Sequence, residues 1–189
     1  MKKPVIKLSY NAPVTLTFAL LCAVALIMGS FTGGASTSQF FSVYRCPLDN
    51  VLAFVRFFTH VLGHGSVAHL ISNLMFLLLL GPALEDRYGS WTVLWAILFT
   101  ELVSGLVQYL FFPGAALLGA SGIVFMMILL TPFAGMKSGT IPLTLILVAA
   151  LYLGNEVWDA IFVQDDISQL THIIGGLCGT MIGFILGKQ

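Results

Sequence analysis

Charged side chains are scarce in this sequence. Asp, Glu, Lys and Arg make up 8% of the 189 residues, and the formal net charge is zero, whereas an average soluble domain carries about 25% charged residues. Such a small polar fraction does not cover a globule in water, which excludes an ordinary soluble fold. The chain also has no basic cluster, so no nucleic-acid partner is expected.

Cysteine is equally rare. Cys22, Cys46 and Cys178 show no paired spacing and no CxxC motif, so the sequence indicates neither a disulfide framework nor a thiolate metal site. Cys46 is expected to be a free thiol in a polar loop. The rest of the composition is 58% hydrophobic, which predicts an all-α polytopic membrane protein with one domain over residues 1–189.

Apolar runs of nearly the length that a helix needs to cross a bilayer, about 20 residues, recur six times. The predicted spans lie near residues 14–33, 66–83, 90–111, 119–134, 141–162 and 169–187. Turn-forming segments separate several of them, including GPALEDRYGS after the second span. The first run is longer than the apolar part of a signal peptide, so we expect it to remain as a membrane anchor.

Basic residues are distributed unevenly between alternate loops. With the N-terminus inside, the inner basic residues are Lys2, Lys3, Lys7, Arg87, Lys137 and Lys188, and the outer ones are Arg45 and Arg56. This bias predicts that both termini are cytoplasmic. The bacterial inner membrane is expected from the minimal six-span form and not from this bias. The longest outer segment, 34–65, contains the apolar stretch VLAFVRFFTHVLGHG and is expected to lie in the membrane interface.

Three spans that run in the same direction carry a polar residue near their outer ends. These residues are His69, Ser121 and His172, and Asn73 shares the helix face of His69. A serine becomes a nucleophile when a histidine takes its proton, and N–H groups at a helix start can stabilise an oxyanion. The pattern therefore predicts a Ser121–His172 dyad, with donors added by His69 and Asn73.

Glycines surround both candidate catalytic residues. Gly119 and Gly122 allow close backbone approach beside Ser121. Gly175 and Gly179 have the GxxxG spacing, which predicts tight packing of the sixth span against the fourth. Serine at the start of an apolar helix is also the usual helix cap, so capping remains the alternative role of Ser121.

A second alternative is a divalent-metal transporter, because His60, His64 and His69 lie within ten residues. No HExxH motif, carboxylate or cysteine accompanies them, so no metal is expected. His60 and His64 are expected instead to anchor the loop at the outer interface. Glu101 in the third span and Glu156 in the fifth are expected to contact neighbouring helices or an interface, without a catalytic role.

Five short segments, in this order, resemble the rhomboid family of intramembrane serine proteases. They are THVLGHGSVAHLISN (59–73), EDRYGS (85–90), SGLVQ (104–108), GASG (119–122) and HIIGGLCG (172–179). The resemblance covers about residues 50–185 and implies a six-helix rhomboid-like bundle. It makes Ser121 the nucleophile and His172 the general base. His69, Asn73 and the Ser121 N–H would form the oxyanion hole, without metal or cofactor.

The resemblance also implies supporting residues and a substrate class. Glu85 and Arg87 match polar structural positions, and Arg56 matches an arginine of the long outer loop. The implied substrate is a single-pass membrane protein that enters from the lipid past the fifth span and is cut near its outer boundary.

Three positions depart from the family pattern. Phe125 replaces a tyrosine that packs under the histidine in many bacterial members, Thr171 replaces the usual alanine, and Val55 replaces a frequent tryptophan. A rhomboid-like protein that binds transmembrane helices without cutting them is therefore a further alternative. The intact dyad argues against it.

Overall fold

The structure, a computed structural model, describes residues 9–135, 140–141, 143–162 and 166–187. Within 143–162 it describes the side chains of 143–151 and 154, and within 166–187 those of 169–187. These ranges are helical, apart from connections and one isolated bridge between Val43 and Leu117. The α-helices are α1 (Pro13–Phe31), α2 (Ala35–Phe40), α3 (Val51–Thr59), α4 (Val67–Tyr88), α5 (Ser90–Phe111), α6 (Ser121–Leu130), α7 (Leu143–Phe162) and α8 (Asp166–Leu186). Single 3-10 turns follow α3 and α6.

Four of the described helices are long and apolar enough to cross a membrane. They are α1, α4, α5 and the Gln169–Leu186 part of α8. With its 3-10 turn, α6 extends the apolar stretch to Gly135 and is shorter, in line with the marginal length of the fourth predicted span. These apolar helices make the chain an integral membrane protein.

The largest departure from the predicted boundaries lies at the end of α4. The sequence predicts a turn after residue 83, but the helix continues through Pro82 to Tyr88 and ends at Gly89, whose φ is 83°. In hydrocarbon every backbone polar group needs a partner, and neighbouring helices allow proline within a membrane helix. The apolar surroundings therefore override the turn-forming residues of GPAL.

The long segment 34–65 folds into α2, α3 and a 3-10 turn. Arg56 of α3 holds it together, because its Nε donates a 2.8 Å hydrogen bond to the Gln39 carbonyl and its guanidinium lies 4.5 Å from the centre of the Tyr44 ring. Gly63 fits directly against the Phe41 carbonyl, where a Cβ atom would lie 2.1 Å from the oxygen. The segment is thus a packed part of the fold.

Glu85 joins α4 to the start of α1. Its carboxylate accepts hydrogen bonds from the backbone N–H groups of Thr15, at 2.7 Å, and Val14, at 3.2 Å. N–H groups in the first turn have no partner within their own helix, and a negative charge is favourable there. One turn earlier, a Cβ atom on Gly81 would lie 2.3 Å from Thr15 Oγ1, so the two helices also touch.

Helices α6 and α8 are in direct backbone contact. A Cβ atom on Gly175 would lie 2.1 Å from the Gly122 carbonyl oxygen, and one on Gly179 would lie 2.1 Å from that of Met126. This contact agrees with the packing that the GxxxG spacing predicts. It brings the first turn of α6 against the segment of α8 that carries His172.

The Gly175 contact leads to a stability prediction. Gly175→Ala should lower the melting temperature of the purified protein, because overpacking of this kind costs about 1–3 kcal/mol. Gly154→Ala in α7 is the control, since a Cβ atom there meets nothing within 4 Å. Ser121→Ala should also leave the melting temperature nearly unchanged. Equal losses in all three variants would contradict the assignment of this contact.

Candidate functional site

One cavity, of about 340 Å³, collects the polar residues that the sequence pattern singles out. It is lined by His69, Ser72, Asn73 and Phe76 of α4, by Ser121, Val124, Phe125 and Ile128 of α6, and by His172 of α8. Ser121, His172, His69 and Asn73 are thereby brought together from three helices.

Ser121 is the first residue of α6 and does not cap it. The N-cap is Ala120, which makes no side-chain capping hydrogen bond. The first N–H groups of a helix have no intrahelical partner, and α6 begins at Ser121, which lines the cavity. Gly119, with a φ of 123°, turns the chain into the helix, a conformation that a residue with a side chain rarely adopts.

Gly119 also supports His69. A Cβ atom on Gly119 would lie 2.8 Å from His69 Cε1, so the imidazole rests directly on the backbone that precedes Ser121. The His69 ring also meets the His64 ring edge-on, with centroids 4.9 Å apart. His69 is therefore held by the loop before α4 and by the turn before α6.

Asn73 is buried, and the nitrogen of its side-chain amide is hydrogen-bonded to His64. Its Nδ2 lies 3.1 Å from His64 Nε2, while His64 Nδ1 lies 3.1 Å from the Leu62 carbonyl oxygen. A carbonyl oxygen only accepts, so the His64 proton is assigned to Nδ1, and Nε2 accepts from the amide. An amide nitrogen carries two N–H groups, and this bond uses one of them.

His172 packs against Phe125, which lies one helical turn after Ser121. The ring centroids are 4.3 Å apart and the planes are inclined by 42°. Thr171, the residue before His172, touches Gly122, where a Cβ atom would lie 3.2 Å from the threonine Cγ2. The two departures from the family pattern at 125 and 171 therefore both lie in the contact between α6 and α8.

The described geometry can be compared with known proteins. The chain matches the Rhomboid domain family over residues 52–189. It belongs to the rhomboid family. Similar proteins include the Rhomboid protease GlpG of Salmonella paratyphi A and that of Salmonella typhi, each 36% identical over 115 residues, and that of Salmonella newport, 35% identical. The match covers 60% of this rhomboid and 40% of each relative's length.

Several residues singled out by the sequence lie outside the cavity. The supporting residues among them are Arg56, His60, His64, Glu85 and Arg87, together with the glycines Gly119, Gly122, Gly175 and Gly179. Arg87 is exposed, with its guanidinium 5.8 Å from the centre of the Tyr88 ring. Glu101 is buried on α5 and takes no part in lining the cavity. The side chain of Glu156 lies outside the described residues.

The three-histidine metal site finds no support in this rhomboid. Within the described ranges, no group of three or more His, Cys, Asp or Glu side chains is placed to hold an ion. Both ring nitrogens of His64 have partners, and His60 Nδ1 lies 3.1 Å from the Arg56 carbonyl oxygen. His60 is thereby joined to α3, and His64 to the Leu62 carbonyl and to Asn73 of α4.

Sequence reasoning did not single out Ser72 and Phe76, although both line the cavity. Their spacing of three and seven residues from His69 is the signal that was available, because such positions share one face of a helix. The Ser72 hydroxyl donates a 2.9 Å hydrogen bond to the His69 carbonyl of its own helix.

His64 should make the stability of this rhomboid depend on pH. Burial lowers its pKa from 6.5 to about 4, the hydrogen bond to Leu62 opposes this shift, and the neighbouring His69 adds to it. The unfolded chain takes up this proton near pH 6.5, so the folded state should lose stability as the pH falls from 6.5 towards 4.

The measurement is the melting temperature of detergent-solubilised protein between pH 7.5 and 4.5. His64→Gln, which has no titrating group at this position, should show a shallower loss than the wild type. The free energy of unfolding should depend on pH more steeply in the wild type, by at most about 1.4 kcal/mol per pH unit. Parallel curves for the two proteins would show that His64 does not titrate in this way.

Proposed function

We propose that this rhomboid is an intramembrane serine endopeptidase that cuts transmembrane segments of membrane proteins near the outer face of the membrane. The observation that carries the proposal is the single cavity lined by Ser121, His172, His69 and Asn73. It holds a hydroxyl, an imidazole and further donors at the start of a helix, which are the groups that acyl transfer requires.

In the proposed reaction, the Ser121 oxygen attacks the carbonyl carbon of the substrate peptide bond and His172 takes the hydroxyl proton. The oxygen of the tetrahedral intermediate then accepts hydrogen bonds from the Ser121 N–H, His69 and Asn73. His172 gives its proton to the leaving amine as the carbon–nitrogen bond breaks. Water then hydrolyses the acyl-enzyme, again with His172 as the base. Phe125 orients the His172 ring by packing against it.

A second, mainly apolar cleft supports access for a transmembrane substrate. It has a volume of about 540 Å³ and is lined by Phe76, Leu79, Leu80, Ile128, Thr131, Pro132, Thr144 and Val148. Phe76 and Ile128 also line the catalytic cavity, so the two spaces adjoin. Because Thr144 and Val148 belong to α7, movement of α7 would open the cleft to an apolar helix in the bilayer.

The nucleophile can be tested with a serine-directed fluorophosphonate. The wild type should be labelled, and Ser121→Ala should be neither labelled nor able to cleave a single-pass reporter protein. Ser72→Ala is the matched control and should still be labelled, because the Ser72 hydroxyl bonds to its own helix. Labelling that persists in Ser121→Ala would show that Ser121 is not the nucleophile. Capture of the reporter by the wild type without any product would favour the non-proteolytic helix binder.

We further propose six spans in a bacterial inner membrane, with both termini in the cytoplasm and residues 34–65 outside. The bias of basic residues supports this orientation. The chain offers a natural reporter, because Cys46 in the outer segment is partly exposed while Cys22 and Cys178 are buried.

A membrane-impermeant maleimide should therefore label the wild type on intact spheroplasts, and Cys46→Ser should abolish the signal. Permeabilised spheroplasts serve as the reference for full labelling. Labelling of the wild type only after permeabilisation would reverse the orientation.

A further inference from the structure

His64 contacts both side chains of the proposed oxyanion hole. It accepts the Asn73 hydrogen bond at 3.1 Å, and its ring meets the His69 ring with centroids 4.9 Å apart. It does not line the catalytic cavity itself. His64 is thus placed to act on the reaction only through its neighbours.

The position of His64 is fixed by the backbone around it. Its Nδ1 donates to the Leu62 carbonyl, and Gly63 is closed against Phe41 so tightly that a Cβ atom would lie 2.1 Å from the carbonyl oxygen. The residue as a whole is 2% exposed. A ring held in this way presents one unprotonated nitrogen, Nε2, to α4.

That nitrogen distinguishes the two ends of the Asn73 amide. With the NH₂ end towards His64, one N–H bonds to Nε2 and the second remains available to donate. With the oxygen end towards His64, two acceptors would face each other, which leaves a buried group unsatisfied. An oxyanion requires a donor, so the orientation of this amide decides whether Asn73 stabilises or repels it.

We infer that His64 is a positioning residue that holds the Asn73 amide with its NH₂ end as the donor of the oxyanion hole. This inference rests on the proposed protease function and adds a residue that does not touch the substrate. His64 contributes to the rate by fixing Asn73 before the reaction begins, so that no reorganisation is needed as the charge develops.

Two substitutions separate positioning from a structural role, because they keep different halves of the imidazole. His64→Gln retains a polar group near the Nε2 position, towards Asn73, and loses the bond to Leu62. His64→Asn retains a group near the Nδ1 position, towards Leu62, and loses the bond to Asn73. A structural role predicts that activity follows stability in both variants. A positioning role predicts that His64→Gln, which keeps the contact with Asn73, retains activity and that His64→Asn, which loses this contact, does not.

The experiment measures fluorophosphonate labelling rates and reporter-cleavage kinetics on the full chain. His64→Asn should slow labelling by about 10- to 100-fold, below the loss of about 100- to 1,000-fold typical when an oxyanion-hole donor is removed. The change should appear in kcat with little change in KM. The labelling rate of His64→Gln should stay within about threefold of the wild-type rate, because this variant keeps a polar group towards Asn73.

A double-mutant cycle completes the test. His64→Asn combined with Asn73→Ala should be no slower than Asn73→Ala beyond the loss that His64→Gln shows by itself. Both His64 substitutions remove the ring contact with His69, and the remaining effect of His64→Asn acts through the Asn73 amide. The melting temperatures of the same four proteins should show coupling between these residues, whether or not the protein is active.

Each outcome decides the matter. Additive losses in labelling, a wild-type rate in His64→Asn, or rates that follow melting temperature would overturn the positioning role alone, provided that the wild type is labelled and Ser121→Ala is not. An unlabelled wild type would overturn the proposed function, and the positioning role with it.

Discussion

The contact of α8 glycines with α6 carbonyls is the constraint on which the site depends. Gly175 meets the Gly122 carbonyl and Gly179 meets that of Met126, so the two helix axes approach as closely as backbones allow. In lipid the hydrophobic effect does not drive one apolar helix against another, and close van der Waals packing takes its place. Because α6 and α8 are packed in this way, His172 lies beside the start of α6 and lines the same cavity as Ser121.

The rest of the site is fixed by irregular backbone rather than by helix packing. Gly119 turns the chain into α6 and supports the His69 ring, while the loop before α4 supplies His64. Non-helical backbone within membrane depth is tolerated where it is buried in protein or lines a cavity. These irregular segments therefore support groups that α4 carries, because Gly119 lies against the His69 ring and His64 bonds to Asn73.

Different physical signals explain what could and could not be predicted from the sequence. The apolar runs predict α5 at the bounds observed, 90–111, and the GxxxG spacing predicts the partner of α8, because both signals are local and periodic. The end of α4 was not predictable from turn residues, since Pro82 and Gly81 act differently in lipid than in water. The hydrogen bond from Asn73 to His64 joins a helix to an irregular loop, and no periodicity specifies the conformation of such a loop.

The departures from the family pattern beside the proposed dyad are linked by the geometry. Phe125 lacks the hydroxyl of a tyrosine but keeps a ring 4.3 Å from that of His172, so ring packing is the part of the interaction that survives. Thr171 adds a methyl group that lies against the space beside Gly122, on the same contact between α6 and α8. A β-branched residue is stiff about χ1, so this methyl group has little rotamer freedom beside Gly122. The Phe125 ring lies beside His172 and the Thr171 methyl group lies beside Gly122, so both departures act on the packing of α6 against α8.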